Sequence, residues 1–295
     1  MRIALGTAQF GLPYGITNTH GQVGGEEVRK ILRLAADNGV HVLDTAAAYG
    51  NSECVLGLAL KGDDRFQIIT KLAHLRSQDT AGVRAALDRF TQSLVDLRVT
   101  RVHGLLVHRY DDLAGPVGRE LFDAIERRRA DGEVEFIGAS VYAPEEAFAL
   151  VERFPLDIVQ LPSNILDQRA ASDGLFDRLS ERGVSVHVRS AFLQGVLAAD
   201  SDCLPLSLPG SLLAAVRRID DFAARHAMTK RQAALGYIKA QPIDVAVIGV
   251  TAASELADIL SAWNGLPSEE MLSSLPWSTL TVADKALIDP RLWMS

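Results

Sequence analysis

The strongest constraint in this sequence is a repeated alternation of two periodicities. Short β-branched or apolar runs at residues 3–8, 40–46, 66–72, 102–108, 134–141, 157–163, 184–192 and 244–250 read as strands, and helical stretches separate them. Val28, Ile31, Leu32 and Ala35 recur at i, i+3, i+4 and i+7, as do Leu256, Ile259, Leu260 and Trp263. That spacing turns one face of a helix toward a core. Gly39, Gly132 and Gly183 each stand between a helical stretch and the next strand, where glycine supplies the left-handed helix stop at little steric cost. Eight βα units within 295 residues, with no internal break in composition, predict one (β/α)8 barrel domain over residues 1–295. It has an N-terminal β segment and a C-terminal tail, residues 264–295 with Trp277 and Trp293, over one barrel end. The near-continuous apolar run from Val245 to Val250 suits a parallel strand buried on both faces. An open doubly wound sheet would want a GxGxxG turn after the first strand, and Gly6 to Gly11 does not match it. The long final interval holds a Ser-, Leu- and Pro-rich loop, Ala198 to Ser211, ahead of a helix near residues 212–226.

Composition excludes several functions. The formal net charge is −7 with no block of like charges, so a nucleic-acid surface is not expected. Cys54 and Cys203 are the only cysteines and have neither disulfide-framework nor zinc spacing, which points to a reducing compartment. The N-terminal stretch does not read as a signal peptide, and no apolar run approaches membrane-spanning length. A soluble, cytoplasmic protein without a membrane partner is expected; oligomeric state leaves no signature.

Catalytic residues of such barrels sit at the C-terminal strand ends. There the sequence places Asp44 with Tyr49 after it, Lys71, His108, Ser140 and Gln160. An Asp, a Lys, a Tyr and a His on one rim suit reduction of a carbonyl by hydride. The developing alkoxide needs a hydrogen-bond donor and then a proton. Tyr49 supplies both, a cationic Lys71 favours its ionised form, Asp44 holds the lysine, and His108 orients the carbonyl. Singly, these residues have plainer readings: Asp44 and Lys71 as a structural ion pair, Tyr49 as a packing aromatic. The remaining histidines, His20, His41, His74, His103, His187 and His226, lack metal-ligand spacing, so a metallohydrolase barrel is disfavoured and no metal is expected. His103 and His108 should face opposite sides of one strand. Phe90 and Trp263 lie on helix stripes and read as core.

The stretch from Asp44 to Gly50, the Lys71 that closes Ile68 to Lys71, and the His108 that closes Leu105 to His108 resemble the tetrad of the aldo-keto reductases. Gly6–Thr7, Ile137 to Ser140, Val159–Gln160 and Ile248–Gly249 follow in the order of that family, so the resemblance spans nearly the whole chain. It implies an NAD(P)H-dependent oxidoreductase that reduces a small-molecule aldehyde, ketone or sugar. Ser140 and Gln160 would bind the nicotinamide carboxamide, while Gly6, Thr7, Ser190, Phe192, Gly249 and Thr251 would line the cofactor. Two positions depart from the family pattern: Val141 replaces an Asn, and Arg189 stands where many members have a stacking Tyr. Its planar guanidinium can stack or reach a phosphate.

NADP(H)-preferring members carry Lys or Arg after the eighth strand. Here Gly249 to Trp263 contains no basic residue, and Glu255 falls about where the phosphate-binding Arg would lie. A carboxylate repels a 2′-phosphate but accepts a bond from a ribose hydroxyl, so NADH use at least comparable to NADPH is expected. In the alternative, Glu255 faces solvent and Arg189 or Lys230 grips the phosphate. Phe10, Tyr14 and Trp293 are candidate substrate-pocket residues. A different class of function, a nucleotide-binding redox-sensing or partner-binding barrel with little turnover, stays open.

Overall fold

The computed structural model describes residues 1–293; the last two residues of the tail lie outside the described residues. The strands are β1 (Arg2–Gly6), β2 (Val42–Asp44), β3 (Gln67–Leu72), β4 (Val102–Val107), β5 (Val134–Ser140), β6 (Ile158–Pro162), β7 (Ser185–Arg189) and β8 (Val245–Gly249). Each pairs in parallel with the next, and β8 closes on β1. Each expected run carries one strand, with ends that differ by a few residues. The N-terminal β segment is β1 itself, a stave of the barrel.

Strand side chains alternate across the sheet, and that alternation builds the site. Ala4, Val42, Ile69, Leu106, Ile158, Val245 and Val247 fill the barrel interior. Two residues further along the same staves, Gly6, Asp44, Lys71, His108, Gln160 and Gly249 share that inward face. An apolar plug thus carries a polar ring at the C-terminal mouth. The opposite faces, such as Leu5, Leu43, Leu105 and Val188, join the outer core against the helices.

Helix Gly25–Asp37 buries Val28, Ile31, Leu32 and Ala35, at roughly 1.5–3 kcal/mol for each larger aliphatic side chain. Helix Ala253–Asn264 buries Leu256, Ile259 and Leu260, and Phe90 is core. Trp263 is only half-buried, with Lys239 Nζ 5.2 Å from its ring centre, because it lies at the helix end. The long final interval holds two helices, Gly210–Arg225 and Lys230–Lys239. The tail crosses their outer side, where Trp277 packs on Phe222 and Tyr237. Val282 N–H then bonds Leu166 O at 2.9 Å beyond β6, and Asp289 to Arg291 ends at the mouth beside Tyr142.

Candidate active site

Lys71 is fully buried, and its ammonium has three partners. Nζ donates to Asp44 Oδ1 at 2.5 Å, to Thr45 O at 2.9 Å and to the Tyr49 hydroxyl at 3.4 Å. Asp44 Oδ2 accepts from Gln160 Nε2 at 2.7 Å. Burial, the largest influence on Lys71, works to lower its pKa, yet the charges and hydrogen bonds of Asp44 and Tyr49 hold it above the ordinary lysine value. Lys71 is therefore a cation beneath the tyrosine, 4.9 Å from the ring centre.

Tyr49 arrives on the loop after β2, which is clamped from below and behind. Thr7 Oγ1 donates to Asp44 O at 3.0 Å, and Ser52 Oγ donates to Thr7 O at 2.8 Å. Glu53, also buried, accepts from Thr70 Oγ1 at 2.6 Å and from Arg89 Nη2 at 2.7 Å, tying the helix after Tyr49 to the stave that carries Lys71. Behind the loop two glycines touch. A Cβ on Gly11 would lie 1.9 Å from Tyr49 O, and one on Gly50, where φ is +56°, would lie 2.3 Å from Gly11 O. Only hydrogen-sized side chains permit that approach.

His108 faces Tyr49 edge-on, with ring centres 5.9 Å apart. Burial first, then the positive charge of Lys71, pushes its pKa down to about 3. It is a neutral imidazole at ordinary pH, able to donate or accept a hydrogen bond but not to serve as an imidazolium acid. His103 faces the outer side of β4 and meets Glu135 at 3.1 Å, and His74 meets Asp112 at 2.9 Å. Among the described residues no group of three or more His, Cys, Asp or Glu is arranged to hold a metal.

A cavity of about 490 Å³ opens above this ring. Asp44, Tyr49 and His108 line it, as do Gly6, Thr7, Arg189, Ser190, Phe192, Gly249, Thr251 and Glu255. Ser140 and Gln160 are not in its wall; they pair across β5 and β6 just below it. Tyr14 lines the cavity, whereas two pocket guesses fall elsewhere. Phe10 is fully buried in the outer core, because the short helix Ala8–Gly11 turns it inward. Trp293 packs on the tail, its Nε1 donating to Ala286 O at 2.9 Å. Lys230 also lies outside the wall: it donates to Ser201 at 2.6 Å and faces Asp220 at 3.6 Å in a separate cleft. Sequence reasoning missed Gln9, Tyr142 and the segment 194–195, which reach the wall through loop paths rather than strand register. Thr17 Oγ1 donates to Gln194 O at 3.2 Å, so the loops after β1 and β7 meet over the cavity.

Glu255 accepts from Thr251 N at 2.8 Å and Thr251 Oγ1 at 3.0 Å, both through Oε2. Glu27, from the first helix of the outer layer, accepts from Ala253 N at 2.8 Å at the start of the same helix. That bond is the main influence holding its carboxyl below the usual range. Two carboxylates therefore stand at this helix N-terminus, and among the described residues of the cavity wall Arg189 is the one Lys or Arg.

Polar acid–base groups at the C-terminal mouth of a closed parallel barrel define a (β/α)8 enzyme. The sequence matches the Aldo/keto reductase family over residues 2–275, and the chain belongs to that family. An L-glyceraldehyde 3-phosphate reductase of Escherichia coli (strain K12) is 27% identical over an alignment of 296 residues, covering 86% of this chain and 84% of that protein. An aldo-keto reductase of Mycobacterium sp. (strain KMS) is 32% identical over 135 residues, 43% of this chain and 45% of that protein. Among solved structures, an aldo-keto reductase from Bacillus halodurans in its holo form superposes with a TM-score of 0.76 at 20% identity, over 96% of this chain and 93% of that one. The glycerol dehydrogenase of Gluconobacter oxydans gives 0.72 at 20% identity, over 95% and 90%. These structures share the fold. Family membership makes this chain an oxidoreductase of small carbonyl compounds, and aldo-keto reductases as a family use nicotinamide cofactors.

Proposed function

We propose that the protein reduces an aldehyde, ketone or sugar carbonyl with Tyr49 as proton donor. The single observation that carries this reading is the buried Lys71 ammonium, held by Asp44 at 2.5 Å and by Tyr49 at 3.4 Å. As negative charge grows on the carbonyl oxygen, the Tyr49 hydroxyl donates a hydrogen bond and then its proton. The phenolate left behind is stabilised by Lys71, whose charge Asp44 and Gln160 keep in place. His108, neutral, donates a second hydrogen bond that fixes the carbonyl.

The residues present fit a nicotinamide dinucleotide. In the cavity wall Gln9 Oε1 is a buried acceptor without a partner, suited to an amide or hydroxyl donor. A Cβ at Gly249 would press 2.6 Å from Gln9 Oε1, so the wall there admits only backbone. A reduced nicotinamide bound in this cavity supplies the hydride. Ser140 and Gln160 are assigned to its carboxamide, and Gly6, Thr7, Ser190, Phe192, Gly249 and Thr251 to the cofactor's flanks.

Glu255 is assigned to a ribose 2′-hydroxyl, with NADH used at least as well as NADPH. Glu27 adds support, since a phosphate dianion near Ala253 would meet two carboxylates. The proposed setting is the cytoplasm, in keeping with the free thiols of Cys54 and Cys203. Mixing the protein with NADH or NADPH and a panel of aldehydes, sugars and keto acids tests the whole reading by absorbance. Failure of every substrate to oxidise either cofactor would refute it.

A further inference from the structure

A second cleft adjoins the catalytic cavity, and Tyr142, Arg189 and Ser190 line both. Tyr142 lies between two guanidinium groups: Arg189 Cζ is 4.2 Å from its ring centre, and Arg291 Cζ, from the tail, is 3.5 Å away. Arg169 and Lys285 complete a basic lining. The carboxylates here are already engaged. Asp289 takes Arg291 Nε at 2.9 Å, Asp167 takes Arg169 Nε at 2.8 Å, and Glu146 accepts the N–H groups of Tyr142 and Ala143 at 2.7 and 3.2 Å.

Arg189 has no such partner. Among the described residues no carboxylate lies within ion-pair distance of it, and its one hydrogen bond runs from Nη2 to Val141 O at 3.1 Å. A guanidinium has five N–H donors, and a half-buried cation with most of them unmatched suits a ligand anion. Its charge is felt by His108 and Tyr14 in the catalytic cavity and by Asp289 in the adjoining cleft.

We propose that Arg189, with Arg291 and Lys285 around Tyr142, forms a subsite for an acidic group on the substrate, a phosphate or carboxylate, so that the preferred carbonyl compounds are anionic. This rests on the reductase reading above for the word substrate, but not for the anion site itself. The tail supplies Arg291 and Lys285, so the segment that closes this cleft also selects the substrate. Contact with the Tyr142 ring restrains both guanidinium groups, which lowers the ordering cost of binding.

Two measurements test it. Calorimetric titration with inorganic phosphate, with and without saturating NADH or NADPH, asks for the site without turnover. Steady-state kinetics on butanal and succinic semialdehyde, which differ by a carboxylate, ask for its use. Wild-type protein should bind phosphate in the presence of either cofactor, and Arg189→Gln and Arg291→Gln should each weaken that binding. The kcat/KM ratio of succinic semialdehyde to butanal should fall roughly tenfold or more in both variants, as for loss of a charge-assisted bond. Arg189→Lys, which keeps the charge, should restore part of it and guards against simple misfolding. Phosphate binding abolished by both cofactors would give Arg189 to the cofactor and overturn the proposal. So would absence of phosphate binding, or a ratio unchanged within about threefold against that tenfold expectation. If no aldehyde is turned over while phosphate binding follows the variants, the reductase reading fails and the anion subsite stands.

Discussion

Lys71 Nζ lies 3.4 Å from the Tyr49 hydroxyl and 2.5 Å from Asp44 Oδ1, so one buried ammonium joins the phenol to a fixed carboxylate. Tyr49→Phe removes only the hydroxyl. Turnover should fall by ~10²- to 10⁴-fold, the usual contribution of a general acid, while cofactor affinity measured by fluorescence titration changes little. Retention of more than about a tenth of wild-type kcat would move the proton to another donor. Lys71→Met should cost nearly as much, because it also strands the Asp44 carboxylate without its counter-ion.

Glu255 and Glu27 both hold N–H groups at the start of helix Ala253–Asn264, which sets the cofactor expectation. Titrating both reduced cofactors should give an NADH affinity equal to or better than that for NADPH. A preference for NADPH above roughly tenfold, or ~1.4 kcal/mol, is the result that rejects it. Glu255→Arg should shift affinity toward NADPH.

The two interior histidines make stability fall in acid. Burial, joined at His108 by the charge of Lys71, holds the pKa of His108 down to about 3; burial, partly opposed by Asp44, holds His187 at about 4. Below pH ~6.5 the unfolded chain takes up protons that the folded protein refuses, so each group removes up to roughly 1.4 kcal/mol per pH unit until its folded pKa is reached. Urea unfolding at pH 7, 5.5 and 4.5 should show this decline, and a smaller one in His187→Asn. Equal declines in both proteins would mean that carboxylates, not this histidine, set the acid limit.

Gly11 and Gly50 touch behind the tyrosine loop. Gly11→Ala should destabilise the fold by about 1–3 kcal/mol, the range for an overpacked site, and lower kcat beyond the loss of folded protein because Tyr49 is displaced. Thermal melting and turnover at matched folded fraction separate the two effects. Unchanged kcat would show that the loop recovers its position despite the added methyl.

Strand periodicity is local, so the amino-acid order alone specified the eight staves, with ends that differ by a few residues from those observed. Asp44, Lys71, His108 and Gln160 lie at even spacing from interior residues such as Val42, Ile69, Leu106 and Ile158, and a period of two leaves one inward choice. Helix stripes such as Val28, Ile31, Leu32 and Ala35 were legible for the same reason. Tertiary structure decided what loops do, because a loop's path depends on partners distant in sequence. It sent Phe10 into the core, kept Trp293 on the tail, drew Lys230 to Ser201 and Asp220, and brought Glu27 to Ala253. Arg189 stood out as a departure in the chain, but its place beside Tyr142 and Arg291 exists only because a tail some hundred residues later returns to the mouth of the barrel. Contacts between segments so far apart are fixed by packing and charge in the folded molecule, and no local pattern encodes them.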